Sequence, residues 1–599
     1  MSWIPENLPA ICATEPNGSS CSSSQILFLA FVANLFSDSR DKSHKQNAEP
    51  KEYDFIVVGG GTAGCVVTNR LSKIKSWKVL LLEQGIEEPQ VVEVPAFIGL
   101  LPGSNIMHKY DIQPDTIACK MQPCSVSRGK VLGGSSSVGD MLYARGNRVD
   151  FDDWEKMGCT GWSYEEVLPY FKYSEDNLDK DIIEENPEYH ATGGYQSVQK
   201  FPYTDVNTKI AIEAFQELGY KLTDPNGETQ LGVSNAQWTI KNGVRVSTNA
   251  GFIRPIRNKR SNLFIKTGAH VTRVIIDPET KQALGVEYKY DGKSEIAYAK
   301  KEVIISAGTI ESPKLLMLSG IGPKEILEKH NIDLIQDLPV GRNMHTHIEI
   351  GKLDFSFRNK NYSTLTTLEE MKQDVLRYLK THAGPDSTRG LSAAMAFVKT
   401  KFEKNENAPD IKIEFHPDEL PYQPSVYYDS FSVTVILLTP KIRGYVTLND
   451  TYPISGNPAI FTGNLAAESD IDALIEGIHE VLKLADTKIF NDSGYEINKV
   501  PIQACQEFEF GNDDYFKCMI PQYAAFTSDY VGTCKMGTRD SGAVVDPRLK
   551  VYGVNGMRVI DASNMPAVVR GNPIVATIMI AEKGGEMIKE DWKINNCRR

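Results

Sequence analysis

Apolar positions along this chain follow two rhythms that predict different elements. Phe55 to Val58 and Lys78 to Leu82 are short apolar runs, the pattern of buried strands, and Ala63 to Leu71 between them has helical character. Together they predict a βαβ unit. Further on, Val271 to Asp277 and Ala283 to Tyr290 are β-rich runs punctuated by Asp-Pro and Asp-Gly pairs, which predicts hairpins. Glu302 to Ala307 reads as another strand. A helix should follow it, with Pro313 near its first turn and Gly320 past its end, because proline suits the opening of a helix and glycine its close. Leu368 to Leu379 and Asp470 to Ala485 also carry helical patterns, and the chain shows no internal repeat.

At 599 residues the chain is too long for one ordinary core, so two domains or one body of interleaved segments is expected. A composition 41% hydrophobic and 24% charged is that of a globular protein, and a net charge of -12 gives no electrostatic reason to seek nucleic acid. The apolar run Ile26 to Phe36 is too short to span a bilayer comfortably and has the length of a signal-peptide core. Residues 1–50 therefore read as leader plus flexible tail, with secretion preferred to the cytoplasmic alternative; Glu6 and Glu15, with no Lys or Arg, precede the run. Among ten cysteines, Cys119 with Cys124 and Cys505 with Cys518 are spaced either for local bridges or as buried free thiols, and neither pair has metal-site context. Sequons at Asn17, Asn361, Asn449 and Asn491 fit a secreted glycoprotein.

Gly59, Gly61 and Gly64 form G-x-G-x-x-G between a predicted strand and helix, and Glu83 ends the next strand. In such a turn the first glycine permits the tight bend, the second admits a pyrophosphate, and the third lets helix and strand pack closely. Gly60, Thr62 and Ala63 complete the turn and the helix start, whose amides face the anion, and Glu83 would accept from ribose hydroxyls. The motif predicts a dinucleotide and leaves NAD or FAD open.

The segment Gly129-Lys130-Val131-Leu132-Gly133-Gly134-Ser135-Ser136, followed by Tyr143, Arg145, Gly146 and Asn147, resembles the first signature of the glucose-methanol-choline (GMC) oxidoreductases, which are FAD enzymes. Ser306-Ala307-Gly308-Thr309 through Ser312-Pro313 to Leu318-Ser319-Gly320-Ile321-Gly322-Pro323 resembles the second. The likeness continues through Gly532-Thr533-Cys534-Lys535-Met536-Gly537 to Met579-Ile580-Ala581-Glu582-Lys583, so it covers about Tyr53 to Ile588. It implies an α/β fold with a Rossmann-like FAD-binding domain interleaved with a substrate domain on an antiparallel sheet. The expected division is 51–347 for the FAD region with substrate-domain insertions, 348–440 for a substrate segment, 441–588 for the C-terminal part that completes both sites, and 589–599 for a tail. The resemblance also implies that Val131 and Gly139 lie by the flavin, Val274 by the adenine, Asp561 and Ala562 near the pyrophosphate and ribityl chain, and Asn572 at the isoalloxazine. Gly139 stands where the family usually has Asn.

The same family takes the alcohol's hydroxyl proton on a His shortly before Gly-Thr, assisted by a second His or Asn after Gly-Asn. Here those positions carry Asp529 and Ile574. Asp529 is the candidate base, with burial expected to raise its pKa toward neutrality. Ile574 suggests a more hydrophobic substrate pocket. His345 and His347 are not taken as substitutes for the base, the family usually having a His at the latter position for structural reasons. The chain looks most like the family's insect branch, and the preferred substrate is a steroid-like secondary alcohol, ecdysone for example, oxidised to a ketone with oxygen or another acceptor reoxidising the flavin. A sugar or small-alcohol dehydrogenase and a flavin-binding protein with little catalysis are the alternatives.

Overall fold

The computed structural model describes residues 3, 23–37, 50–113, 124–418, 422–463 and 467–593. Strand Glu52–Val58 pairs in parallel with Val79–Glu83 on one side and with Lys293–Ile305 on the other. Leu263–Thr267 and Met557–Val559 extend the parallel part, and the predicted hairpin His270–Ile276 with Ala283–Tyr290 completes a seven-stranded sheet. The central strands are apolar on both faces because both are covered. Helix Thr62–Ser72 lies against the C-terminal helix Pro573–Asp591, where Arg70 is paired with Glu582 at 2.5 Å in the core.

A second seven-stranded sheet, antiparallel throughout, runs in the order Tyr495–Ile497, Ile348–Phe357, Ser430–Leu437, Ile411–Pro417, Ala394–Val398 and Gly232–Asn235, with Ala524–Phe526 also joined to Ile348–Phe357. Its period-two pattern is plainest in Ile411–Pro417, where Ile411, Ile413 and Phe415 are buried in the hydrophobic core while Lys412, Glu414 and His416 take the opposite face. Helix Glu468–Leu484 covers the apolar side so closely that a Cβ at Gly477 would come within 2.6 Å of Val435. The α/β fold with two interleaved domains is as expected.

One boundary differs from the sequence reading. Ser23–Leu35, which holds the apolar run read as the leader's core, is a helix whose Phe28, Leu29 and Val32 are buried with Val91, Phe97, Val375 and Tyr378. Residues 38–49, in the stretch read as the flexible tail, lie outside the described residues. The tail starts later than residue 589, since the last helix continues to Asp591 and Trp592 packs edge-on to Phe55 while donating to Glu302 at 2.9 Å. Among the described residues no helix is long and apolar enough to cross a membrane. Cys505 and Cys518 form a disulfide; Cys119 and Asn17 lie outside the described residues.

Pro313 falls in the second turn of helix Gly308–Leu318 rather than its first. Lacking an N–H, it cannot bond the Thr309 carbonyl four residues back. That carbonyl accepts from Thr533 Oγ1 at 2.6 Å instead, so the proline's defect is repaired from another segment.

Candidate active site

The glycine turn carries three different constraints. Gly59 has φ +97°, and a Cβ there would meet the Ser306 carbonyl at 2.5 Å; a Cβ on Gly64 would meet the Gly59 carbonyl at 1.9 Å. Gly61 differs, because its nearest neighbour would be Gly134 Cα at 3.9 Å. No packing inside the protein demands a glycine at Gly61; it keeps a cradle open beside the N-terminus of helix Thr62–Ser72, where a pyrophosphate fits against unpaired amides. Glu83 accepts from the Gly60 amide through Oε2 and the Gly85 amide through Oε1, both at 2.7 Å. Burial raises its pKa against the opposing pull of those amides. Each carboxylate oxygen keeps a further acceptor site for a ribose.

From this turn a cleft of about 1690 Å³, its open mouth included, runs to the loop that carries Asp529 and to the helix start at Asn572. Gly59, Gly61, Thr62, Ala63, Glu83, Gly139, Asp529, Asp561, Ala562, Asn572 and Ile574 all line it. Gly60 and Gly64 are not on its wall, and neither are Val131 and Val274, whose side chains are buried, with the Val274 amide held by Ser319 Oγ at 2.8 Å. Asp561 accepts from the Gly308 amide at 2.8 Å and from Ser312 Oγ at 2.6 Å, fastening the C-terminal return to the second signature. At Gly139 a Cβ would stand 2.8 Å from the Ser135 carbonyl, so the loop is built tightly around the glycine.

At the far end, Asp529 Oδ2 lies 2.9 Å from His347 Nδ1 and also accepts from Thr527 Oγ1 at 3.2 Å. Burial would raise the Asp529 pKa, but the His347 hydrogen bond and charge, with Lys412 behind them, bring it below the usual carboxylate range. The expectation of an upward shift is therefore corrected: the carboxylate has cationic neighbours that the sequence did not place beside it. Ile574 is half-buried in the first turn of helix Pro573–Asp591, whose N-terminus points its partial positive charge at the cleft. Asn572 caps that helix and accepts from Lys412 Nζ at 3.2 Å. Lys412 is buried and paired with Glu414 at 2.8 Å, and Glu414 lies 3.4 Å from His416. Burial opposes the charge on Glu414, yet Lys412 and His416 drive its pKa far down. Glu349 is raised, by burial first and then by Glu414 and Asp529.

His345 is held by the backbone: Nδ1 donates to the Asn343 carbonyl at 2.7 Å, Nε2 accepts from the Val568 amide at 2.8 Å, and burial pushes its pKa down to about 3. His347 is different, since it touches the candidate base. The sequence reading also missed Lys412, Glu414, His416 and Glu349; the alternation from Ile411 to His416 was the signal that could have found them.

A glycine-turn dinucleotide site whose cleft ends at a buried Asp–His pair fits a nucleotide-linked oxidoreductase of two interleaved domains. GMC oxidoreductase family models match residues 53–349 and 440–581, and the chain belongs to that family. It is 39% identical to a glucose dehydrogenase [FAD, quinone] of Drosophila pseudoobscura pseudoobscura over 92% of this chain and 89% of that one. It is 34% identical to an ecdysone oxidase of Bombyx mori over 96% and 87%. Formate oxidase superposes with a TM-score of 0.80 at 25% identity, over 91% of this chain and all of the other. The cofactor is FAD, and the chain sits in the insect branch.

Proposed function

We propose that this oxidoreductase takes a polar, polyhydroxylated alcohol of the sugar class to its carbonyl, with Asp529 accepting the hydroxyl proton. Bound FAD supplies the hydride acceptor. The chain's own residues do the rest: Asp529 holds the hydroxyl, Ile574 keeps water from one side, and Asn572 offers a polar partner to a further hydroxyl. One observation carries this reading, the charged row Lys412, Glu414 and His416 behind the cleft, from which Lys412 donates to the cleft-lining Asn572. Asp529 and Asn572 suit a substrate with many hydroxyls, because polar groups left unpaired against an apolar skeleton would be costly. The glucose dehydrogenase relative agrees with it.

The steroid reading keeps one supporting feature, the apolar Ile574, and one relative, the ecdysone oxidase. Anaerobic bleaching of the purified flavoprotein separates the two: sugars and polyols should reduce it faster than ecdysone, and the reverse order would transfer the assignment. Asp529→Asn should slow reduction at least about a hundredfold. We further propose secretion, which the Cys505–Cys518 disulfide supports because such bonds persist mainly in oxidising compartments.

A further inference from the structure

The two nitrogens of His347 face different kinds of partner. Nε2 lies 3.0 Å from the Val569 carbonyl, and Nδ1 lies 2.9 Å from Asp529 Oδ2. A carbonyl can only accept, so Nε2 must carry a proton. A neutral imidazole then has none on Nδ1, and two bare acceptors do not sit at 2.9 Å in a buried site. The Nδ1–Oδ2 contact therefore contains one proton, and Asp529 with His347 is together uncharged. Asp529 Oδ2 is occupied by His347 and Thr527, whereas Oδ1 has no hydrogen-bond partner among the described residues and the side chain lines the cleft.

We propose that Asp529 and His347 work as one proton-sharing unit, neutral at rest, with Asp529 Oδ1 the proton acceptor and His347 the positioning residue that keeps the unit uncharged. The proposal rests on the alcohol-oxidation reading above. In the reaction the alcohol O–H breaks and its proton goes to Oδ1 as the C=O bond forms; bound FAD would supply the acceptor for the carbinol hydride. The unit passes from zero to plus one. A lone carboxylate would pass from minus one to zero and would repel negative charge gathering on the cofactor; a neutral histidine would pass from zero to plus one. The pair thus reproduces the charge change of the imidazole that Asp529 replaces, by moving the imidazole one position back. Of the groups around it, Lys412 is matched by Glu414, His345 is kept neutral by its two backbone bonds and Glu349 is shifted toward its uncharged form. Arg128, bonded to the Ser528 carbonyl at 2.6 Å, keeps a cation beside the pair, and His416 is shifted toward its charged form by Glu414 against its burial.

The test is nitrogen-15 NMR of histidine-labelled full-length protein, with and without FAD, the His347 signal being identified by its absence from His347→Gln. Between pH 6 and 8 the wild-type ring should show a proton bonded or shared at both nitrogens, and Asp529→Asn should reduce this to Nε2 alone. A wild-type ring with a bare Nδ1 would overturn the proposal. In His347→Gln, flavin reduction should slow by at least about tenfold with KM changed less than about threefold, and its pH profile should shift by more than about one unit; a merely structural role would leave the profile where it is. Should no alcohol reduce the flavin, the functional reading fails, yet the NMR result still decides whether the pair shares its proton.

Discussion

Thr533 Oγ1 donates to the Thr309 carbonyl at 2.6 Å, and Thr309 Oγ1 donates back to the Tyr530 carbonyl at 2.7 Å. This reciprocal tie fixes the loop that presents Asp529 to a helix start that also lines the cleft. Thr533→Val keeps the shape and removes the donor, leaving the carbonyl freed by Pro313 buried without a partner. We expect a loss of about 1–3 kcal/mol, read as a lower melting temperature, together with slower flavin reduction. An unchanged melting temperature would mean that the tie contributes nothing.

The glycine turn gives a contrast between two substitutions. Gly59→Ala forces a side chain onto a positive φ and into the Ser306 carbonyl, so the protein should accumulate poorly. Gly61→Ala meets only open space and should fold normally, while its Cβ occupies the pyrophosphate's place. The expected result is near wild-type melting of the apoprotein and a visible absorbance spectrum without flavin. Full flavin content in Gly61→Ala would place the pyrophosphate elsewhere.

Lys412→Met strips the buried Glu414 of its nearest cation and Asn572 of a donor. Breaking a buried pair from one side costs about 3–5 kcal/mol. Adding Glu414→Gln should restore much of that loss, because the uncompensated charge goes with it. Thermal denaturation of the single and double variants checks this, and equal losses in both would refute the pairing. A rise in KM for polyols in both would fit the hold of Lys412 on the cleft-lining Asn572.

Asp386 supplies a pH prediction. It is 1% exposed, neither carboxyl oxygen has a hydrogen-bond partner among the described residues, and burial, with Asp374 adding to it, pushes its pKa up to about 8. Its folded value lies above the unfolded one near 4, so its contribution is intact in acid and is lost as pH rises toward 8. Asp386→Asn should match wild type near pH 4 and then gain on it by about 1.4 kcal/mol per pH unit. Denaturation midpoints at pH 5, 6, 7 and 8 measure the gap; parallel curves would show that Asp386 is solvated or paired.

The cofactor half of the molecule was legible because its chemistry is local. Gly59, Gly61, Gly64 and Glu83 lie within one βαβ unit, and short-range spacing carries their geometry. Asp529 and Ile574 were also found, by their distance from Gly532 and from Asn572. What stayed hidden were contacts made by strand register. Lys412 meets Asn572, and His347 meets Asp529, across segments that no local pattern connects. The sign of the Asp529 shift was misjudged for the same reason, since burial was foreseeable and the cation beside it was not. The packing of helix Ser23–Leu35 stayed hidden too, because an apolar run looks alike whether a membrane, a processing enzyme or a hydrophobic groove receives it.

The strand Met557–Val559 has a consequence for how the chain is made. It closes the edge of a sheet whose central strand begins at Glu52, and Arg558 seals the join by a buried pair with Glu302 at 2.6 Å. On the ribosome, the nucleotide-binding half must wait for almost the whole chain to emerge before its last strand arrives. Until then that edge stays unpaired, and no truncation between the two family regions can yield a finished flavin domain.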